Sequence, residues 1–195
     1  MIAYNVEPID PFYNNADDKS DETIMASCTF DFLGFSHSEG RLELKQLPGD
    51  LTSIIGTFDF IKPGNHALKI HEYGDIEYAC SSVGPVFNPY GAKRGHSDDD
   101  IYLRRIGDLE QVMGRWDTSA EFKNRDDLVD LSGPNSVLGR SMVLYEREDD
   151  FDQTPHPPAV DREERLVELM GRPIACCVIG LAKGEPKVEK EPAFN

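Results

Sequence analysis

Six short apolar stretches recur along this chain, each closed by Gly, Pro or Asp, and no long stretch carries a helical period. They are "TIMASCTFDFLG", "GRLELKQL", "SIIGTFDFI", "HALKIHEYG", "SMVLYERE" and "IACCVIGLAK". In the second, Leu42 and Leu44 alternate with charged residues. In the fourth, Leu68 and Ile70 alternate with Lys69 and His71. Period two is that of a half-buried strand, because successive side chains point to opposite faces. Many short strands without long helices predict an all-β antiparallel sandwich or barrel. At 195 residues the chain is long enough for one domain with a sizeable core.

Charge narrows the partners. With 36 acidic residues against 20 basic ones the net charge is -16. Nucleic acid and anionic membrane carry the same sign, so neither is expected as a partner. No apolar run approaches the length of a membrane span. Residues 1–22 are polar and acidic, without the basic-then-apolar layout of a signal peptide. They read as a disordered arm, and the expected location is cytoplasmic. Residues 185–195 read as a disordered tail, leaving a domain over 23–184. The four cysteines, Cys28, Cys80, Cys176 and Cys177, form no CxxC pair, which argues against a structural zinc knot. Reduced, buried thiols are the ordinary cytosolic state, and Cys28 reads as a buried strand thiol.

Two long segments break the strand rhythm, residues 75–107 and 147–173. Loops of that length in a compact domain are usually functional or descend from functional ones. Within the second, "DREERLVELM" has the spacing of a short helix, with Leu166, Leu169 and Met170 on one side. "HEYGD", which leads into the first segment, and "ACSSVGPVFNP" within it have the look of a metal-site frame.

The order and spacing of "GTFDF…HALKIHEYGD", "ACSSVGPVFNP", "RRIGDLEQV", "DLSGPNSVLGRSMVLYEREDD" and "GRPIACCVIGLAKG" resemble the copper/zinc superoxide dismutase family over residues 23–184. The resemblance implies an eight-stranded antiparallel Greek-key barrel with two long loops. It also implies where the family's ligands would fall. Of the family's His-x-His copper pair, the first member is Lys69 and the second is His71. The shared bridging histidine is Val86. The two further zinc histidines correspond to Arg105 and to a position near Arg94, where His96 is the alternative. The zinc aspartate is Asp108, and the last copper histidine is Tyr145. Asp149 matches the family's aspartate that links the two metal sites. Only His71 and Asp108 persist as ligands.

Two ligands, one from each site, do not define a tight copper or zinc centre. The expectation is no metal cofactor, or at most weak zinc or copper. Catalytic residues are accordingly expected to be none. Lys69, Arg105 and Arg94 put cations where metals would sit, beside Asp108 and Asp149. The reading leaves two outcomes open: an Arg/Lys–Asp network in the old cavity, or side chains turned to solvent. The family's channel arginine corresponds to Pro173, with Arg172 one residue earlier. The acidic loop around His156 would repel a superoxide anion.

The resemblance also pairs Cys80 with Cys176 as an intrasubunit disulfide and gives His66 a packing role. It places a dimer surface at Tyr73-Gly74-Asp75, Val137-Leu138-Gly139 and Ile179-Gly180-Leu181. The favoured reading is an inactive homologue that acts by protein binding, as a homodimer or as a heterodimer with a dismutase-family protein. A divergent superoxide dismutase and a copper-chaperone-like domain stay open, the last weakened by the missing CxxC motif.

Overall fold

The computed structural model describes residues 23–34, 38–47, 51–96, 99, 103–150 and 169–183. The arm, the tail, His156 and most of the "DREERLVELM" segment lie outside these. Of that segment only residues 169 and 170 are described, in a helical turn with Met170 buried.

The strands are β1 (Met25–Thr29), β2 (Asp31–Phe32), β3 (Glu39–Leu47), β4 (Leu51–Asp59), β5 (Gly64–His66), β6 (Leu68–His71), β7 (Val112–Gly114), β8 (Ser119–Asp126), β9 (Ser141–Tyr145), β10 (Pro173–Val178) and β11 (Gly180–Leu181). All pairings are antiparallel. One sheet runs β11-β1-β3-β4-β8, a second β2-β10-β9-β6, and a third pairs β5 with β7.

Three pairs of these strands are single runs bent at one residue: β1–β2 at Phe30, β5–β6 at Ala67 and β10–β11 at Ile179. All three bend residues are buried. Counted by runs, the eleven strands reduce to the eight expected for the family. The bends let a run leave one sheet and enter another, which is how an orthogonal sandwich makes its corners. β1–β2 and β10–β11 pair with each other across both large sheets, closing one side of the barrel.

The core between the sheets is built from the inward positions of these runs. Leu42, Leu44, Ile54, Phe58, Leu68 and Ile70 are all fully buried. Phe30 meets Phe58 edge to face, with ring centroids 5.1 Å apart. Burying an aliphatic or aromatic side chain of this size contributes about 1.5–3 kcal/mol. The alternation in β3 is as read from the sequence. In β6 it is not: Leu68, Lys69, Ile70 and His71 are all buried. The outward face of β6 is covered by Asp108 and Asp149, which hold Lys69, and by Tyr145 and the Gly84 loop carbonyl, which hold His71, while the loops around Val86 and Asp108 pair with its free edge. Gly107 allows this close approach, since a Cβ there would lie 2.3 Å from the Ile70 carbonyl oxygen.

Two disulfides tie the layers. Cys80–Cys176 fastens the first long loop to β10, as the resemblance implied. Cys28–Cys177 joins β1 to β10 through the core, so the reading of Cys28 as a free thiol is corrected. Adjacent strand residues face opposite ways, so Cys177 enters the core while Cys176 meets the loop.

Candidate metal centre

β6 turns two side chains, Lys69 and His71, toward the covering loops. The Lys69 ammonium donates to Asp108 Oδ1 at 2.9 Å and pairs with Asp149; all three side chains are fully buried. Asp108 also receives Arg105 through both oxygens, Nε to Oδ2 at 2.9 Å and Nη2 to Oδ1 at 2.8 Å. The Gly95 backbone N–H adds a bond to Asp108 Oδ2 at 3.3 Å. Asp149 pairs with Arg94, which reaches on to Asp150 at 2.9 Å. The result is one line of alternating charge: Arg105, Asp108, Lys69, Asp149, Arg94, Asp150. Its charges sum to zero, which removes most of the penalty for burying them.

The line holds Asp108 ionised. Burial pushes its carboxyl up, but the Lys69 charge and the Arg105 hydrogen bonds outweigh burial and lower its pKa to about 2. Asp149 is lowered as well, with burial opposed by Lys69 and Arg94. Its backbone is clamped by Gln111, whose amide both donates to the Asp149 carbonyl and accepts from its N–H, each at 3.2 Å.

His71 stands beside this line. Its Nδ1–H donates to the Gly84 carbonyl at 2.7 Å, which leaves Nε2 to accept from the Tyr145 hydroxyl at 2.9 Å. Burial lowers the His71 pKa to about 4, and the nearby Arg105 and Lys69 charges add to that. Val86 is buried among Val83, Cys80, Cys176 and Tyr145. His66 lies elsewhere, with its ring nitrogens 2.9 Å from the carbonyls of Lys62 and Tyr145.

The structure thus brings together Lys69, His71, Arg94, Arg105, Asp108, Tyr145, Val86 and Asp149. Of the two outcomes the sequence left open, the Arg/Lys–Asp network is the one present, with Arg105 on Asp108 and Arg94 on Asp149. At the open choice between Arg94 and His96, Arg94 enters the line. His96 sits at its edge, half-exposed, 3.6 Å from Glu110. Arg172 is exposed near Glu146.

Sequence reasoning missed Gln111 and Arg104. Arg104 is almost fully buried and pairs with Asp126 at 2.9 Å and Asp127 at 3.1 Å, fastening the loop to the end of β8. No spacing signal distinguishes it from Arg105, its neighbour.

A copper–zinc pair does not fit these residues. The positions of lost ligands hold an ammonium, two guanidinium groups, an isopropyl group and a phenol. The one remaining imidazole has its free lone pair engaged by Tyr145, and both Asp108 oxygens are taken by cations. Among the described residues no group of three or more His, Cys, Asp or Glu side chains is placed to hold a metal ion.

Comparison with known proteins places this geometry. Residues 38–179 match the family model of copper/zinc superoxide dismutase (SODC). Over 133 residues the chain is 39% identical to the extracellular superoxide dismutase [Cu-Zn] of Brugia pahangi, an alignment covering 67% of this chain and 64% of that protein. The crystal structure of the clock protein EA4 superposes with a TM-score of 0.70 at 28% identity, covering 81% of this chain and 94% of that one. These findings overturn the cytoplasmic expectation. The Brugia relative is extracellular, and two disulfides belong to an oxidising compartment, where cytosolic reductants do not act. The cysteine count alone did not reveal this, because partners distant in sequence meet only in the folded barrel. With most of its length matched by the family model and the eight-run barrel in place, the chain belongs to the copper/zinc superoxide dismutase family.

Proposed function

We propose that this family member has exchanged metal catalysis for protein binding, acting as a catalytically inactive homologue that associates through the face carrying Tyr73 and Val178. The observation that carries the first half is the Lys69 ammonium held between Asp108 and Asp149. A buried cation fixed at that point opposes a second one, and dismutation requires a metal that cycles between two oxidation states.

The binding half rests on exposed apolar surface. Tyr73, Val178 and Leu181 are 53%, 37% and 74% exposed. Gly74 packs so closely on Gly139 and Val178 that a Cβ would lie 2.1 Å from the Gly139 carbonyl oxygen. The three segments named by the resemblance therefore adjoin, with Val137 and Ile179 turned into the core. A second copy of this chain is the favoured partner, and a dismutase-family subunit is the other.

A divergent dismutase is the second reading, supported by the two retained ligand types at His71 and Asp108 and by the named activity of the Brugia relative. A cytochrome c reduction assay on protein loaded with copper and zinc separates the two. The expected outcome is no rate above a no-enzyme control; metal-dependent dismutation would establish the second reading.

A further inference from the structure

We propose that the turns following β4 and β7 form a docking tip for a bilayer surface of zwitterionic phospholipid, with Phe60, Met113 and Trp116 entering the headgroup boundary. This surface is separate from the face proposed above for association. Phe60 follows Asp59, which pairs with Glu39 at one end of β3, whereas Leu181 lies across β1 from Leu44, toward the other end. A failure of dimerisation therefore leaves the proposal standing.

The argument starts from backbone strain. Phe60 and Thr118 have φ of 59° and 66°, in the left-handed region that glycine favours and that bulky or β-branched residues avoid. Hydrogen bonds hold both in place. The Ile61 N–H donates to the Thr118 carbonyl at 3.1 Å and so joins the two turns, and Ser38 Oγ donates to the Phe60 carbonyl at 3.1 Å. Within the second turn the Thr118 N–H donates to the Arg115 carbonyl at 3.0 Å. Asp117 Oδ1 accepts the Ser119 N–H at 3.1 Å and the Ser119 hydroxyl at 2.7 Å. This fixed backbone displays apolar side chains: Phe60, Met113 and Trp116 are 62%, 65% and 92% exposed. One exposed apolar residue is ordinary, but three on two joined turns and the strand leading into one of them are not. Folding alone gains nothing from holding Phe60 in a left-handed turn and in water at once. Strain together with exposure marks a functional surface.

Shape and charge select the occupant. The cavity beneath Phe60, bounded by Phe32, Ile61 and His66 among other residues, measures about 30 Å³, room for a water-sized group and not for a partner's side chain. The surface therefore offers tips, which enter a fluid boundary that needs no matching shape. Aromatic side chains rest at the headgroup level of a bilayer, and Lys or Arg beside them reach its phosphates. Residues 60–63 and 115–118 carry Lys62, Arg115 and Asp117, one net positive charge in a chain of net charge -16. Lys62 and Arg115 are both more than half exposed, with Glu146 and Glu121 at 3.7 Å and 4.0 Å. Asp59 and Glu39 lie behind the first turn, on the paired ends of β4 and β3. Net charge opposes an anionic membrane. It brings no such repulsion from a bilayer of zero net charge, whose phosphates still accept from Lys62 and Arg115.

Trp116 is the one tryptophan of the chain, so its emission reports on this surface alone. The test titrates the full chain with phosphatidylcholine vesicles and follows Trp116 emission and co-sedimentation. The emission is expected to move to shorter wavelength and to be quenched by vesicles with brominated acyl chains, while protein sediments with the lipid. Trp116→Ser and Phe60→Gly should each weaken co-sedimentation about tenfold, the loss of one large apolar anchor. Phe60→Gly should also keep or raise the thermal midpoint, because glycine takes the left-handed turn without strain, so weaker binding there does not come from misfolding. No emission shift and no co-sedimentation at millimolar lipid overturns the proposal. So does unchanged partitioning of either variant, or binding that requires phosphatidylserine in the vesicles. An emission shift that follows protein concentration without lipid overturns it too, and assigns the tips to a second copy of the chain.

Discussion

His71 couples the buried site to pH. Buried and bonded through both ring nitrogens, it is held neutral, with a pKa lowered from 6.5 to about 4. The unfolded chain therefore binds a proton at this residue at pH values where the folded chain does not. The stabilising difference is fully present above pH 6.5 and is lost as pH falls toward 4. It amounts to about 3 kcal/mol over that window, each pH unit contributing about 1.4 kcal/mol. Asp108 acts lower, its contribution present above pH 3.8 and lost toward about 2. Urea unfolding at pH 7, 5.5 and 4.5 should show stability falling with acid. A His71→Gln variant, able to replace both hydrogen bonds, should flatten most of that slope. An unchanged slope in the variant would assign the acid sensitivity to other groups. A network of Arg and Lys with Asp108 and Asp149 was legible in the sequence as one of two outcomes, because family motifs place these residues in one pocket and its carboxylates need cations; which carboxylate takes Arg105 was not. The central place of Lys69 was not. Period two puts Lys69 and His71 on the face that strand alternation assigns to solvent, and only the covering loops reverse that assignment.

At the scale of elements, β10 carries two disulfides on neighbouring residues, one to each side of its sheet. Cys176 anchors a loop 96 residues away in sequence, whereas Cys177 reaches β1 across 149 residues. The second bridge joins the first and last strand runs in chain order, which β1 and β11 also join by backbone pairing. Restricting the unfolded chain over spans of this size contributes about 5 kcal/mol by the loop-entropy account. A Cys28→Ser, Cys177→Ser protein should keep its sheet content and lose roughly that much stability in urea. Non-reducing peptide mapping of wild type should return only the 28–177 and 80–176 pairs. Four free thiols in folded protein would contradict both expectations. The pairing of Cys80 with Cys176 was readable from family motifs. That of Cys28 with Cys177 was not, since it rests on which face of β1 and β10 each residue takes. β8 was missed for a related reason. In "SAEFKNRD" only Ala120 and Phe122 give an apolar signal, and the third fully buried position is Asp126, ion-paired to Arg104. A strand whose inward face carries a buried charge leaves a weak alternating pattern.

For the whole molecule, association has to overcome like charge. Each copy carries a net charge of -16, so two copies repel at long range, while the face with Tyr73, Val178 and Leu181 offers apolar burial at short range. The two contributions respond differently to salt. The Debye length falls from about 30 Å at 0.01 M to about 10 Å at 0.1 M, so added salt removes the repulsion first and leaves contact burial intact. Dimerisation of this chain should therefore tighten with salt, the reverse of an interface held by opposite charges. Sedimentation velocity at 20 mM and 300 mM sodium chloride should show the dimer fraction rising at fixed protein concentration. A Val178→Asp substitution, placing a carboxylate on the face beside Gly74 at a position 37% exposed, should leave a folded monomer at both salts. The barrel, its disulfides and the buried line of charges need not change in that variant, so circular dichroism and the thermal midpoint should stay near wild type. Dimerisation that weakens with salt, or that survives Val178→Asp, would move the interface to another surface. A monomer at every salt and at protein concentrations of hundreds of micromolar would remove self-association and leave only a second, dismutase-like subunit as partner for this face.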